Sequence, residues 1–236
     1  MKAVILAGGL GTRLKPFTEI IPKPLLPIGE KSVLEIQIDL LKKHGFNKIF
    51  LATNYRSDYI ESFFGDGSRY GVELKISKEI KPLGTVGPVR LLMHELTEPF
   101  LVMNGDILTQ TDFRKLYDFA VIQNSMLTVG IKEIVTPFDF GNIFTKNEFV
   151  IGIEEKPQFK NKILAGIYIF KPEIFSLIPE NEYFGMDQLV QLMLKGNLPV
   201  TKYDLNEYWL DIGRMDDFEK AQNAFGDLVL DKNDIE

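Results

Sequence analysis

The sequence contains no cysteine. That one absence excludes a disulfide scaffold, a zinc–thiolate site and a cysteine nucleophile. Histidine is nearly as scarce: His44 and His94 are the only two and stand far apart, so a histidine-rich metal site is excluded too. Basic residues are not in excess. The formal charge is −6 with no Lys/Arg block, which argues against a general nucleic-acid binder, because such a protein needs a basic face for phosphate contacts. No apolar run approaches the roughly 18–20 residues that a membrane helix needs. The apolar stretch Ala3–Ala7 runs straight into Gly8-Gly9 and is too short for the core of a signal peptide. It reads as a buried strand, and a cytoplasmic location with no membrane partner is the expectation from these absences.

What is present is enough for a core. The chain has 236 residues, 45% of them hydrophobic, and a chain of this size buries roughly 70–75% of its extended surface. Without a linker, repeat or low-complexity segment, it reads as a single domain over 1–236. Short apolar runs alternate with helical periodicity. Strands are expected at Ala3–Ala7, Ile49–Thr53, Val72–Ile76 and Phe100–Met103, and helices at Val33–Lys43, Ser57–Phe64 and Thr85–Leu96. This rhythm predicts an α/β fold: a mixed, mostly parallel twisted sheet with helices on both faces. The second half is less regular. Strands are expected at Met126–Ile131, Phe149–Glu154, Leu164–Phe170 and Tyr208–Ile212, helices at Pro172–Leu177, Met186–Lys195 and Met215–Phe225, and a loosely held acidic tail over 226–236.

The strongest local signal is Leu6-Ala7-Gly8-Gly9-Leu10-Gly11-Thr12-Arg13-Leu14, directly after the first strand. Glycine allows positive φ and close backbone approach, so successive N–H groups can converge on phosphate oxygens. Arg13 adds a charged fork for a phosphate. A Walker A loop would need Lys-Ser/Thr after the glycines, and none follows. A dinucleotide fingerprint would need a third glycine where Leu14 stands, which disfavours a dinucleotide oxidoreductase.

The glycine run, followed by Pro22-Lys23-Pro24-Leu25-Leu26-Pro27, resembles the signature of the sugar-1-phosphate nucleotidylyltransferases. The likeness extends to about Phe225 and is nearest to short guanylyltransferases acting on mannose-1-phosphate or heptose-1-phosphate. It implies a Rossmann-like nucleotidyltransferase fold, with a nucleotide-binding half over about 1–110 and a sugar-phosphate half over about 111–225. It also implies a reaction, in which an NTP, expected to be GTP, and a sugar 1-phosphate give an NDP-sugar and pyrophosphate. Two anions must meet, so catalysis should rest on positioning and charge neutralisation.

The resemblance carries roles onto individual residues. Arg13 and Lys23 become the catalytic cations, for the departing β,γ-phosphates and the α-phosphate. Leu6, Ala7, Gly8, Gly9, Gly11, Thr12, Arg13, Glu79, Gly84, Asn104 and Asp106 are expected around the nucleotide. Gly105, Glu155, Lys156 and Gly166 are expected around the sugar phosphate. Asp106, at the end of Phe100-Leu101-Val102-Met103-Asn104-Gly105-Asp106, and Asp211 are expected to hold Mg²⁺, with Mn²⁺ as the alternative ion; one or two carboxylates suffice for Mg²⁺. Glu79 could accept the two adjacent donors of guanine, and Gly84 would admit a flat base. Read alone, several of these are ordinary features: a turn at 104–106, a charged hairpin turn at 154–157, a bulge glycine at 166.

Two other classes fit less well. A glycosyltransferase using nucleotide sugars generally wants Asp-x-Asp, and Asn104-Gly105-Asp106 has one aspartate. A catalytically silent nucleotide-sugar sensor would be expected to lose Arg13, Lys23 or a metal aspartate. The oligomeric state is left open, a homodimer included.

Overall fold

The apolar run after Met1 forms the middle of the sheet: in β1 (Lys2–Leu6), Ala3, Val4 and Ile5 are fully buried. A computed structural model describes residues 1–9, 11–54 and 56–229, the side chains of 225–229 excepted. The next strands are the short β2 (Pro27–Ile28) and β3 (Lys31–Ser32), then β4 (Lys48–Thr53), β5 (Glu73–Lys78), β6 (Phe100–Asn104) and β7 (Ile107–Thr109). The second half adds β8 (Leu127–Pro137), β9 (Asn142–Lys146), β10 (Phe149–Glu154), β11 (Gln158–Phe170), β12 (Val200–Asp204) and β13 (Trp209–Asp211). The helices are α1 (Phe17–Ile20), α2 (Val33–Lys43), α3 (Ser57–Phe64), α4 (Gly87–Arg90), α5 (Phe113–Gln123), α6 (Met186–Lys195) and α7 (Met215–Val229).

Seven strands form one sheet in the order β12-β8-β11-β6-β1-β4-β5. β1 pairs in parallel with β4 and β6, and β4 with β5. β11 alone runs against its neighbours β6 and β8, while β12 runs parallel to β8. The sheet crosses the expected division near residue 110 without a break.

Both faces are covered, as near-continuous apolar strands require. Ile5, Leu51 and Met103 face α2, α3 and α5 through Leu34, Ile38, Ile60 and Phe113. Their chain neighbours Val4, Phe50 and Val102 face Val89, Ile174, Leu189 and Met193 on the other side. The period-2 alternation of strand side chains produces this division. A smaller cluster of Leu14, Leu26, Ile28, Val33, Leu108, Ile212 and Ala221 holds α7. Helix α2 starts where the sequence says it should: Ser32 accepts from the Glu35 amide, and Glu35 reaches back to the Ser32 amide.

Three expectations need correction. The helix over Thr85–Leu96 is α-helical only at Gly87–Arg90. Beyond it the amides of Leu91, Leu92 and Met93 reach back three residues, to Pro88, Val89 and Arg90, which is tight-turn rather than α-helical bonding. The strand begun at Val72 runs instead from Glu73 to Lys78, because pairing with β4 continues to Thr53↔Lys78. Pro172–Leu177 is a 3₁₀ helix. Between Asp106 and Met126 the chain adds β7 and α5, whose cap Asp112 accepts from the Lys115 amide at 3.0 Å. The end of the acidic tail, from 230, lies outside the described residues.

Candidate active site

Because β1, β4, β5 and β6 run the same way, their carboxyl ends share one edge, where open α/β sheets bind ligands. The glycine turn leaves β1 there. The Ala7 amide donates to the Ala52 carbonyl at 2.8 Å, and the Leu6 carbonyl accepts the Gly105 amide at 2.9 Å. The start of the turn is thereby tied to both neighbouring strands. A side chain on Gly9 would meet nothing within 4 Å, so this glycine opens onto free space. Gly11 has φ +60, and its carbonyl accepts the Thr18 hydroxyl at 2.8 Å; a residue with a Cβ there would be strained and would press on Thr18. Thr12 and Arg13 are exposed, and buried Leu14 anchors their turn. Leu10 lies outside the described residues. Leu6, Ala7, Gly9, Lys23, Pro24, Gly105 and Asp106 line a single crevice.

Two carboxylates meet at this edge. β7 and β13 pair antiparallel with Asp211 opposite Ile107, and the Ile212 amide donates to the Asp106 carbonyl at 2.9 Å. The backbones of the two aspartates are therefore locked side by side. Asp106 Oδ2 accepts the Lys23 ammonium, whose side chain is 11% exposed. Asp106 Oδ1 and Asp211 Oδ1 are buried without a hydrogen-bond partner. Burial first, and the Asp106 charge second, push the Asp211 carboxyl above its ordinary value, against the pull of Lys23 and Arg13. A side chain on Gly213 would begin 3.4 Å from Asp211 Oδ1 and 3.5 Å from Arg13 Nη2, so Arg13 reaches the same place.

Buried polar atoms are nearly always paired, and two orphaned carboxylate oxygens together ask for a ligand. Paired hard oxygen donors suit a small divalent cation that keeps water and phosphate as its other ligands. The residues present therefore fit a Mg²⁺-type ion. Among the described residues no third acid or histidine joins them.

Residues that the sequence reading passed over hold this arrangement. Gln37 is 2% exposed on the inner face of α2. Its amide group donates to the carbonyls of Asn104 at 3.0 Å and Ile107 at 2.8 Å, the two ends of the turn that carries Asp106. The signal available was a polar residue on an apolar helix face. On the Asp211 side, Trp209 Nε1 donates to the Ala165 carbonyl and the Thr109 hydroxyl to the Tyr208 carbonyl, both at 2.8 Å.

The other expected residues divide. Gly166 sits in the bulge between Leu164 and Tyr168 with φ +69, and an added side chain would begin 2.7 Å from Asn104 Nδ2. The bulge therefore brings β11 against the Asn104–Asp106 turn. At Gly105, a side chain would begin 2.8 Å from the Leu6 carbonyl. Glu79 is half-buried beside Gly8, accepts the Leu83 amide at 2.8 Å and bonds to the Asn54 side chain. Burial, its largest influence, raises its pKa. At Gly84, φ is +83 and an added Cβ would stand 2.6 Å from the Phe184 backbone. Close packing against Phe184 by itself requires a glycine at this position. Glu155 and Lys156 occupy the exposed turn between β10 and β11, outside the crevice that Lys23 and Asp106 line.

Comparison with known proteins extends these observations. The family profile described as nucleotidyl transferase matches residues 2–227. The mannose-1-phosphate guanyltransferase of Saccharomyces cerevisiae is 34% identical over 227 residues, covering 92% of this chain and 63% of the relative. A UTP–glucose-1-phosphate uridylyltransferase of Synechocystis is 31% identical, covering 94% of this chain and 62% of the relative. The chain thus spans just over three fifths of the length of these two relatives. The crystal structure of HddC from Yersinia pseudotuberculosis complexed with GMP-PN superposes with a TM-score of 0.73 at 28% identity, covering 95% of this chain and 99% of that one. No helix among the described residues is long and apolar enough to cross a membrane.

Proposed function

This chain belongs to the nucleotidyl transferase family, and from that premise we propose that it joins a nucleoside triphosphate to a sugar 1-phosphate. A sugar-phosphate oxygen attacks the α-phosphorus in line. The bond from that phosphorus to the β-phosphate bridging oxygen breaks, and pyrophosphate leaves. The observation that carries this reading is the cluster of Asp106, Asp211, Lys23 and Arg13 beside the glycine turn. Such a set neutralises and orients phosphates, and in phosphoryl chemistry most of the catalysis is positioning and electrostatics.

Each residue has a task in this reading. The amides of the glycine turn receive the triphosphate, and Arg13 balances the charge gathering on the departing pyrophosphate. Lys23 exchanges the Asp106 carboxylate for oxygens of the α-phosphate when the nucleotide enters. A Mg²⁺ or Mn²⁺ ion held by Asp106 and Asp211 would draw negative charge off the phosphates. The Asn104–Gly105 turn and Gly166 border the sugar, with Glu155 and Lys156 closing on its phosphate from the turn above. The nucleotide half is then about 1–110 and the sugar-phosphate half about 111–225, and the NTP supply puts the work in the cytoplasm.

Guanosine is the base this reading favours. Glu79 offers a carboxylate at the end of β5, and guanine presents two adjacent donors that a carboxylate can accept together. The yeast guanyltransferase and the GMP-PN complex of HddC lean the same way, while the Synechocystis uridylyltransferase leans the other. The test is a panel of four NTPs against mannose-, glucose-, glucosamine-, N-acetylmuramate- and heptose-1-phosphates, read by pyrophosphate release. One strong pair containing GTP is expected. Silence across the panel with Mg²⁺ and Mn²⁺ overturns the reaction, and a preference for another NTP overturns only the base.

A further inference from the structure

The segment that joins the two cations of the site has little to hold it down. Arg13 precedes it and Lys23 follows it, and between Leu14 and Pro22 only Thr18 is buried. Ile20 is 70% exposed. Phe17 rests on Phe218 of α7 with ring centroids 6.1 Å apart, yet is half exposed. The Lys15–Glu19 ion pair lies within the segment and is open to water, so it ties the segment to nothing else and is worth little. Burial, the usual anchor, is thin at a place where accuracy matters. A misplacement of about 1 Å at a catalytic group can cost about a hundredfold in rate.

Arg56 supplies a polar anchor instead. Its guanidinium donates to the carbonyls of Glu19 and Ile20 in the last turn of α1, where a helix leaves carbonyls without partners. From the same short helix the Thr18 hydroxyl donates to the Gly11 carbonyl at 2.8 Å. A continuous chain of contacts therefore runs from Arg56 through α1 to the phosphate turn, and the residues after Ile20 lead directly into Pro22-Lys23-Pro24. The base of this chain is firm. The hydroxyls of Thr53 and Ser57 meet at 2.9 Å, buried at the end of β4, and Ile60 and Phe64 root α3 in the core. The guanidinium also lies over the Tyr59 ring, 5.1 Å from its centroid, a contact that favours the charged group there. Arg56 has φ +51 and ψ 40, a left-handed conformation that long side chains rarely take. Glycine or asparagine would fill it at less cost, so a strained arginine at this place points to a use for its side chain.

We propose that Arg56 is a positioning residue for nucleotide transfer: by holding the end of α1 to α3, it keeps Arg13 and Lys23 in register on the triphosphate. It acts through backbone carbonyls and not on substrate. Arginine suits the task better than lysine, because a planar fork can bond two adjacent carbonyls while stacking on Tyr59. The catalytic consequence rests on the proposed reaction, whereas the holding of the segment does not. The sequence makes that holding measurable by itself. Of Arg13, Lys15 and Lys23, the last two are followed by proline, a bond that trypsin does not cut. Arg13–Leu14 is therefore the one tryptic bond of the segment. Leu14 is buried, so this bond is cut only when the turn opens.

The test pairs proteolysis of the native full chain with steady-state kinetics. Arg56→Gly suits the left-handed backbone, so it removes the clamp and keeps the fold. Cleavage after Arg13, followed by mass spectrometry, should run about tenfold faster than in the wild type, with Tm little changed. The KM for NTP should rise about tenfold and kcat should fall, while the KM for sugar 1-phosphate stays within about twofold. General loosening of the fold would not produce that split. Arg56→Lys keeps the charge and should recover part of both losses. An Arg56→Gly chain that is cut no faster after Arg13 overturns the inference. So does one whose KM for NTP is unchanged or rises together with that for the sugar phosphate. Should Arg56→Gly fail to fold, Arg56→Lys decides the matter by the same two readouts. A wild type without activity on the substrate panel would remove the proposed reaction, and the cleavage rate alone would then decide whether Arg56 holds the segment.

Discussion

The Lys23 ammonium lies against Oδ2 of Asp106, while Oδ1 of the same carboxylate is buried with no partner. One oxygen is neutralised by a cation from the Pro22–Pro24 loop and the other is left for a second cation. Lys23 and a divalent ion therefore draw on the same charge, and the side chain that would act on substrate is parked on the residue that would hold the metal.

Removing Lys23 should separate those two roles. Lys23→Ala is expected to tighten Mn²⁺ binding by about tenfold, about 1.4 kcal/mol, because the two aspartates lose their internal counter-charge. Turnover should fall by orders of magnitude. Calorimetric titration with Mn²⁺ and single-turnover pyrophosphate release check the two halves separately, and an unchanged Mn²⁺ affinity would remove the competition.

Asp211 should be costly to stability and needed for activity. Its folded-state pKa is raised by burial and by Asp106, so the folded chain holds that proton more tightly than the unfolded chain does. The ionised carboxylate is therefore destabilising at neutral pH. That cost fades as the pH falls through the raised pKa and is gone below the ordinary carboxylate range. Asp211→Asn is expected to raise Tm at pH 7 and to match the wild type in acid, while turnover is lost. Thermal unfolding against pH shows this, and a lower Tm at pH 7 contradicts it.

Gln37→Leu keeps the volume and removes two donors from the carbonyls of Asn104 and Ile107. Stability should drop by about 1–3 kcal/mol. If Gln37 only fills the core, kcat well below the melting temperature stays as it was. As a positioning residue for the Asp106 turn, its loss should lower kcat about tenfold or more, weaken Mn²⁺ binding and leave the KM for NTP nearly constant.

Glu79→Gln tests the base. The wild type should favour GTP over UTP in kcat/KM, and the substitution should erode that preference by about tenfold to a hundredfold, since the site would then lose its paired acceptor. An intact preference assigns base reading to other groups of the glycine turn.

Lys156→Ala should raise the KM for sugar 1-phosphate about tenfold with little change in that for NTP. Its place in an exposed turn makes this a direct check on whether the turn closes over substrate. Equal KM values leave Lys156 a surface lysine.

Much of the sheet was legible from pattern alone. The buried strand before Gly8-Gly9, the helix over Val33–Lys43 and the aspartate just past the end of β6 are set by neighbours within a few residues, and periodicity reports such relations directly. The same holds for the glycine turn, where Gly11 takes the positive φ that glycine allows.

Other relations became definite only in three dimensions. Asp106 and Asp211 stand side by side because β7 pairs with β13, a register that collective burial selects and no local pattern encodes. Gln37 shows only as a polar residue on an apolar helix; that both its hydrogens go to the Asp106 turn depends on how α2 packs across the sheet. Gly84 serves Phe184, a hundred positions away. The apolar residues from 135 to 164 look in sequence like any core strands, yet β8 and β11 outrun their neighbours and leave them in water. Sequence determined which residues could form the strands, the phosphate turn and the candidate charges. Tertiary structure decided which of those charges meet and which apolar faces stay open, because long-range strand pairing sets contacts that no short window of chain contains.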